Sequence, residues 1–400
     1  LGTQATAAVG ATSTVNWLVS STIAALGIGF LSFVSQACGA GDHKRAGRAS
    51  SQAVLTVLVC GLFFTALTLG LSPYVPVWMQ VDSDIQTLTA QYFFILYTPM
   101  LFRTASIIFG TLLRAVGDSK TPMRVGLLVN AVNVVLNFLL IYPKRTWYGF
   151  SIWGAGMGVI GAAAASAVSF MVGGVLITVA IGKHPFISPR GQSMKPDLDI
   201  LVPCLKVALP NALQRFGTSL GYVAFASMIN SIGEVATAAH TIANTVESAF
   251  YIPGYGMQTA AATLAGNALG AQDNKRACKL AQMIIFVEAG LMVFSGGLLF
   301  AFAPQMMCLF SSDAEVIYLG SIVLRMVALS EPFYGVAIII EGMMQGMGNT
   351  VMPFIFSITG MWGIRIVGTF LCTQLMGMGL VSAWACMIAH NMLLFGAFLV

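Results

Sequence analysis

Charge is scarce in this 400-residue sequence: Asp, Glu, Lys and Arg make up only 8% of it, against about 25% in a typical soluble domain. Hydrophobic residues make up 57%, more apolar surface than a soluble core can hold. Cysteine is sparse too: seven residues, an odd count with no CxxC spacing, which argues against a disulfide framework or a zinc centre. The start, Leu1-Gly-Thr-Gln-Ala5, has no basic n-region and no initiator Met, so it reads as a cut and not as a cleavable signal. No GxxxxGK[ST] loop is present for an ATP-driven pump, and no HExxH or nucleophile elbow for an enzyme. The net charge of +5 forms no arm or stripe, so nucleic acid is not an expected partner.

Long apolar runs fill the space that charge leaves. Ala53 to Leu71, Val125 to Ile141, Ala162 to Ile181 and Met283 to Phe302 each approach the roughly 20 residues that a bilayer-crossing helix needs. The pattern of apolar runs and polar breaks predicts eleven helices, at about 3–38, 44–76, 84–115, 120–142, 156–182, 200–231, 235–269, 275–304, 314–346, 350–374 and 378–400. Placing the breaks alternately on two sides puts thirteen basic residues on one side and only Lys144 and Arg145 on the other. The positive side is thereby read as cytoplasmic, in a multi-pass protein of the cell's inner membrane. Arg103, Arg215, Arg325 and Arg365 fall inside spans.

The sequence repeats itself. Gly39-Ala-Gly-Asp-His-Lys-Arg-Ala46 matches Gly270-Ala-Gln-Asp-Asn-Lys-Arg-Ala277 at an offset of 231. The same offset aligns Ala115-Val-Gly-Asp118 with Gly346-Met-Gly-Asn349, and Ala5-Thr-Ala-Ala8 with Ala236-Thr-Ala-Ala239. Further on, Gly156-Met-Gly-Val159 pairs with Gly377-Met-Gly-Leu380 at 221, so the first half carries about ten extra residues around Lys144 to Trp153, in a loop expected outside the cell. At this register the helix 200–231 has no counterpart, and the first half is expected to lack its first helix. Six helices per half would give both halves the same orientation, related by a pseudo-twofold axis along the membrane normal. The expected division is an N-lobe at 1–182, a cytoplasmic linker at 183–199 and a C-lobe at 200–400.

In the repeated loop, glycine ends one helix, aspartate caps the next, and Lys and Arg remain with anionic headgroups. Together with Leu113-Arg-Ala-Val-Gly-Asp-Ser-Lys-Thr-Pro122, Gly158-Val-Ile-Gly-Ala-Ala-Ala164, Ala238-Ala-His-Thr-Ile-Ala-Asn-Thr-Val-Glu247 and Gly266-Asn-Ala-Leu-Gly-Ala271, the ordered set resembles the multidrug and toxic compound extrusion (MATE) family over essentially the whole chain. The resemblance implies an all-α membrane protein: a V-shaped pair of six-helix bundles, eleven of the twelve helices being present. It implies exchange of organic cations or drugs for H+ or Na+ by alternating access. Beyond the coupling ion no cofactor is expected; the partners are the lipid bilayer and small cationic or amphipathic substrates, and the protein is expected to be a monomer.

An Asn and an Asp four residues apart contribute to the N-lobe cation site in one branch of that family. The matching positions are Asn133 and Asn137, the acid being an amide in this chain, with Asn130 on nearly the same face. Cation coupling and interhelical hydrogen bonding are both open to this stripe.

Among the span acids, each costing about 2.5 to 3.5 kcal/mol if it faced lipid at mid-membrane, Glu247 is the first choice for a protonatable coupling site. It lies about twelve residues, roughly 18 Å, from the outer end of its helix. Its repeat partner is Asn16, and pairing with Arg215 is the competing reading. Glu331, before Pro332, is read as a gate or cavity residue. Arg365 contacts substrate or neutralises Glu331 or Glu341. Glu288 and Glu341 rank lower, and His240 and His390 read mainly as packing residues. The 22 Met and 26 Phe suit a deformable cavity. The alternatives to an antiporter are a lipid-linked saccharide flippase of the same superfamily and a non-transporting scaffold or channel.

Overall fold

The computed structural model describes residues 3–79, 81, 83–147 and 150–399. The helices are α1 (Thr3–Gly39), α2 (His43–Leu71), the short α3 (Val75–Trp78), α4 (Ser83–Tyr97), α5 (Met100–Ala115), α6 (Lys120–Ile141) and α7 (Gly158–Lys183). There follow α8 (Leu198–Asn230), α9 (Glu234–Gly270), α10 (Asn274–Cys308), α11 (Ala314–Gly346), α12 (Val351–Leu375) and α13 (Leu380–Leu399). Each lies within a few residues of an expected segment, with three departures.

The run expected to be one helix over 84–115 is two, bent by 48° between Tyr97 and Met100. Pro99 has no N–H to give and disfavours helical backbone at Thr98. The loop around Lys144 to Trp153 forms a hairpin, β1 (Pro143–Trp147) pairing antiparallel with β2 (Phe150–Ala155). In α12 the backbone widens to π-helical winding over Thr359–Ile366 and again over Phe370–Leu375. Single-turn π insertions concentrate at functional sites, and Arg365 lies in the first of these segments.

Among the described residues, eight helices are long and apolar enough to cross a bilayer, and α4 with α5 makes a ninth span if the bent pair counts as one. The other two long helices are α8 and α9, of 33 and 37 residues. They carry Asn211, Gln214 and Arg215, and Asn244, Glu247 and Gln258, which lower their mean hydropathy. Apolar side chains point outward in numbers no aqueous surface tolerates: Phe286 is 81% exposed, and Val134 and Phe294 each 67%. These are the faces that lipid covers.

The repeat extends to the backbone. Gly41 adopts φ 72°, and its counterpart Gln272 adopts φ 54°, the one non-glycine residue with positive φ among those described. Gly117 and Gly348 match at 87° and 88°, Gly156 and Gly377 at 65° and 64°. The capping is repeated as well. Asp42 Oδ1 accepts from the Arg45 N–H and Asp273 Oδ1 from the Arg276 N–H, both at 2.9 Å. Asp118 accepts from Thr121, and Asn349 from Met352, at 3.0 and 3.4 Å. A left-handed residue followed by an N-cap reverses the chain between spans and holds its register.

Contacts divide the chain into two compact units, one of Leu1–Cys38 with Asp42–Leu205, the other of Gly39–Gly41 with Lys206–Val400. In the first, α7 packs on α4, α5 and α6, and α5 on α2. In the second, α11 packs on α9, α10 and α13, around a core that includes Phe225, Leu299, Val323, Leu324, Trp384 and Met387. All seven cysteines are free.

Residues 184–199 lie against the first unit. Gln52, 2% exposed, donates to the Lys195 carbonyl at 2.9 Å and accepts from the Asp197 N–H at 3.0 Å. Arg48 pairs with Asp197, Ile187 is fully buried, and His43 stacks on Phe186 at 4.6 Å.

Candidate functional site

In the first unit the amide stripe forms in part. Asn137 Nδ2 donates to Asn133 Oδ1 at 2.8 Å, and Asn133 Nδ2 to Ser166 Oγ of α7 at 3.3 Å. The i, i+4 spacing brings the two amides together on one face of α6. Asn130 is exposed and joins no bond of this chain of donors.

The sequence did not foretell the more elaborate polar cluster of this unit. Arg103 of α5, 9% exposed, donates to Asn16 Oδ1 at 2.6 Å and to Ser20 Oγ at 2.5 Å. Tyr97 donates to the same Asn16 oxygen at 3.3 Å, and the guanidinium lies 4.7 Å from the Phe170 ring. Four helices, α1, α4, α5 and α7, meet on this one arginine. The available signals were the position of Arg103 inside a span and Asn16 as the repeat partner of Glu247.

In the second unit Glu247 and Glu331 come from α9 and α11. They are 6% and 1% exposed, and their charges act on one another. Neither makes a hydrogen bond or an ion pair within the described residues. The Arg215 pairing considered for Glu247 does not form, because Arg215 Nε donates to Asn211 Oδ1 at 2.9 Å.

Nor does Arg365 bridge to Glu331 or Glu341. It is 3% exposed and stacks on two aromatic faces of α8, Phe225 at 4.1 Å and Tyr222 at 4.8 Å, and its Nε has no partner. Its charge still acts on Glu247, His240 and His390. The guanidinium gains from the ring quadrupoles what a direct carboxylate contact would have supplied. Glu341 belongs to a separate network, accepting from Gln214 and Gln345 at 2.9 Å each.

Next to the acids stand three tyrosines that sequence reasoning missed. Tyr251 and Tyr255 are one turn apart on α9, Tyr251 lies 6.3 Å from the Tyr334 ring, and the Tyr255 and Tyr334 hydroxyls are 3.4 Å apart. The i, i+4 tyrosines following Glu247 were the legible signal. His240 accepts from Trp384 Nε1 at 3.2 Å, whereas both ring nitrogens of buried His390 are unpartnered.

The second unit thus combines buried carboxylates, an arginine held on aromatic faces and phenolic rings. Such a set can take up a proton or a cation, and can meet an organic cation with π surface.

Residues 1–139 and 210–371 match the MatE family model. The probable multidrug resistance protein NorM of Thermotoga maritima is 27% identical over 386 residues, spanning 96% of this chain and 82% of its own length. The probable multidrug resistance protein YoeA of Bacillus subtilis is 25% identical over 391 residues, with 96% and 82% covered. Among solved structures, a MATE transporter in the bent conformation superposes with a TM-score of 0.90 at 23% identity, over all of this chain and 87% of that one. The same scores and coverage hold for a MOP superfamily transporter from Pyrococcus furiosus Vc1 whose reversed binding-pocket polarity suggests a different function. A family match over more than half the sequence, on a fold with two repeated helical bundles, places this chain in the multidrug and toxic compound extrusion family of membrane transporters.

Proposed function

We propose that the protein is a secondary active multidrug efflux antiporter, exporting cationic or amphipathic compounds in exchange for H+ or Na+ by alternating access. It works as a monomer in the cell's inner membrane, with residues 183–199 on the cytoplasmic side. The observation that carries this reading is the pair of buried acids Glu247 and Glu331, neither with a hydrogen-bond or ion-pair partner among the described residues, and Glu331 with both carboxylate oxygens shut off from solvent. An unpaired carboxylate away from water is costly and neutralises by taking up a proton or a cation. Two such acids close enough to interact form a site that exchanges one positive species for another. The tyrosines beside them offer π faces to an organic cation. Asn133 and Asn137 are the proposed polar contribution of the first unit. The names of the Thermotoga and Bacillus relatives favour drugs as cargo.

A lipid-linked saccharide flippase would need unengaged basic groups to meet a pyrophosphate. The buried arginines are instead engaged inside the bundles, Arg103 with Asn16 and Ser20, Arg365 with Tyr222 and Phe225.

The test is dye transport in everted membrane vesicles under separately imposed proton and sodium gradients, with wild type and Glu247→Gln side by side. Transport driven by one gradient and abolished in Glu247→Gln is the expected result. Transport indifferent to both gradients overturns the antiport reading, and normal transport by the variant overturns the assignment of Glu247.

A further inference from the structure

Glu288 lies in α10, on a different helix from Glu247 and Glu331, and is fully buried with both carboxylate oxygens unpartnered. It sits in a notch cut by two glycines on two other helices. A Cβ placed on Gly254 of α9 would lie 2.8 Å from Glu288 Oε1, and one on Gly335 of α11 would lie 3.2 Å from the same oxygen. Met292, one turn along α10, closes the notch, 2.9 Å from the Gly254 position. The arrangement is reciprocal across α10 and α11, since Gly296 of α10 faces Glu331, whose Cβ would be 3.5 Å from a Cβ there.

No charged group acts on the Glu288 carboxylate. The helices packed against it contribute Glu247, Tyr251 and Tyr255 from α9, and Glu331, Tyr334 and Glu341 from α11, and none of these pairs with it. An alkali cation needs several oxygen ligands at once, and this notch offers one carboxylate between two glycines and a thioether. A proton needs only one. Gly254 directly follows Pro253, and Gly335 lies one turn after Pro332, so both walls stand where the helical hydrogen-bond ladder is interrupted.

We propose that Glu288 is a second proton-carrying site of the C-terminal bundle, opened and closed by bending of α9 and α11 at Pro253 and Pro332. It rests on the proton form of the antiport reading. In the closed notch the side chain is the neutral acid. When α9 or α11 bends away and water enters, the acid O–H breaks, the proton leaves to water and the carboxylate is hydrated. Closing the notch again requires a proton to return.

The experiment is infrared difference spectroscopy of the purified full chain in lipid nanodiscs between alkaline and acidic pH. It is paired with measurement of proton release on adding the cationic dye ethidium. Wild type should show a carboxylic-acid carbonyl band that Glu288→Gln loses and that Glu247→Gln and Glu331→Gln retain, and Glu288→Gln should release fewer protons. Glu288→Asp should keep a band at a shifted frequency, and this arm decides the matter if Glu288→Gln does not fold. An unchanged band in Glu288→Gln, or an unshifted one in Glu288→Asp, overturns the proposal. If the band is lost as expected but wild-type efflux ignores a proton gradient, the proton form of the antiport reading fails and the site stands.

Discussion

Arg103 donates to Asn16 at 2.6 Å inside the first bundle, where the repeat places Asn16 opposite Glu247 of the second. The equivalent of Arg103 at the same offset is Tyr334. The repeat thus holds an amide bonded by an arginine in one half, where the other has an acid and a tyrosine at the equivalent positions. Arg103→Ala would remove two of the hydrogen bonds of this cluster, leaving Asn16 Oδ1 with Tyr97 alone and Ser20 with the Asn16 carbonyl. Hydrogen bonds from a charged donor are worth about 1.5–3 kcal/mol each, so a drop in thermal unfolding temperature in detergent is expected. An unchanged unfolding temperature would mean that water replaces the guanidinium.

Asn133 bonds both Asn137 and Ser166, whereas Asn130 is exposed and makes no such bond. Asn133→Ala and Asn137→Ala are therefore expected to lower dye efflux more than Asn130→Ala, with Asn133→Ala the most severe. Efflux rates at matched expression check the order, and a dominant effect at Asn130 would move the polar stripe to the other edge of α6.

Besides the stacking of His43 on Phe186, two polar contacts hold residues 184–199 on α2, and magnitudes rank them. The Arg48–Asp197 ion pair involves an arginine side chain 56% exposed, and such surface pairs contribute about 0–1 kcal/mol. Gln52 is buried and satisfies two backbone groups of the segment, at about 1 kcal/mol or more per bond with a larger penalty when the partner is lost. Gln52→Ala should accelerate tryptic cleavage at Arg190 much more than Arg48→Ala. Greater acceleration in Arg48→Ala would show that the ion pair is the stronger clasp.

The same segment should loosen in acid. Burial pushes the His184 imidazole below its usual value, with Asp118 opposing, and its Nδ1 accepts from the Phe186 N–H at 3.3 Å, which only the neutral ring can do. Burial pushes the Asp118 carboxyl up, but hydrogen bonds from Thr121 and the neighbouring His184 hold it below the usual carboxylate range. Both groups bind protons less readily folded than unfolded, so the stability they confer is complete at higher pH. It is lost first as pH falls through about 6.5, and further through the carboxylate range. Tryptic sensitivity of the segment, corrected for the enzyme's own pH profile, should rise in that window and flatten in His184→Gln.

How much was legible beforehand differs between scaffold and site. Helix positions were open to reading because lipid forces every span to satisfy its own backbone, so the apolar run itself marks the helix. The repeat was open too, since a left-handed residue and an N-cap aspartate are needed at the same places in both halves. Pro99 stands at a break between two helices, whereas Pro253, Pro304 and Pro332 leave their helices continuous. Nothing in a linear sequence says which proline will bend its helix.

The sequence by itself determined the solvent, the number and order of the long helices, the duplication and the family, because these follow from composition, periodicity and local backbone chemistry. Only the tertiary structure decided the partners of the buried charges. Arg365 was open to pairing with an acid and instead stacks on Tyr222 and Phe225, while Arg103 binds Asn16. Glu288 ranked low among the span acids, yet it fills a notch between Gly254 and Gly335. Partner choice for a buried group depends on which side chains of other helices come within a few ångströms, and no spacing along one helix carries that information.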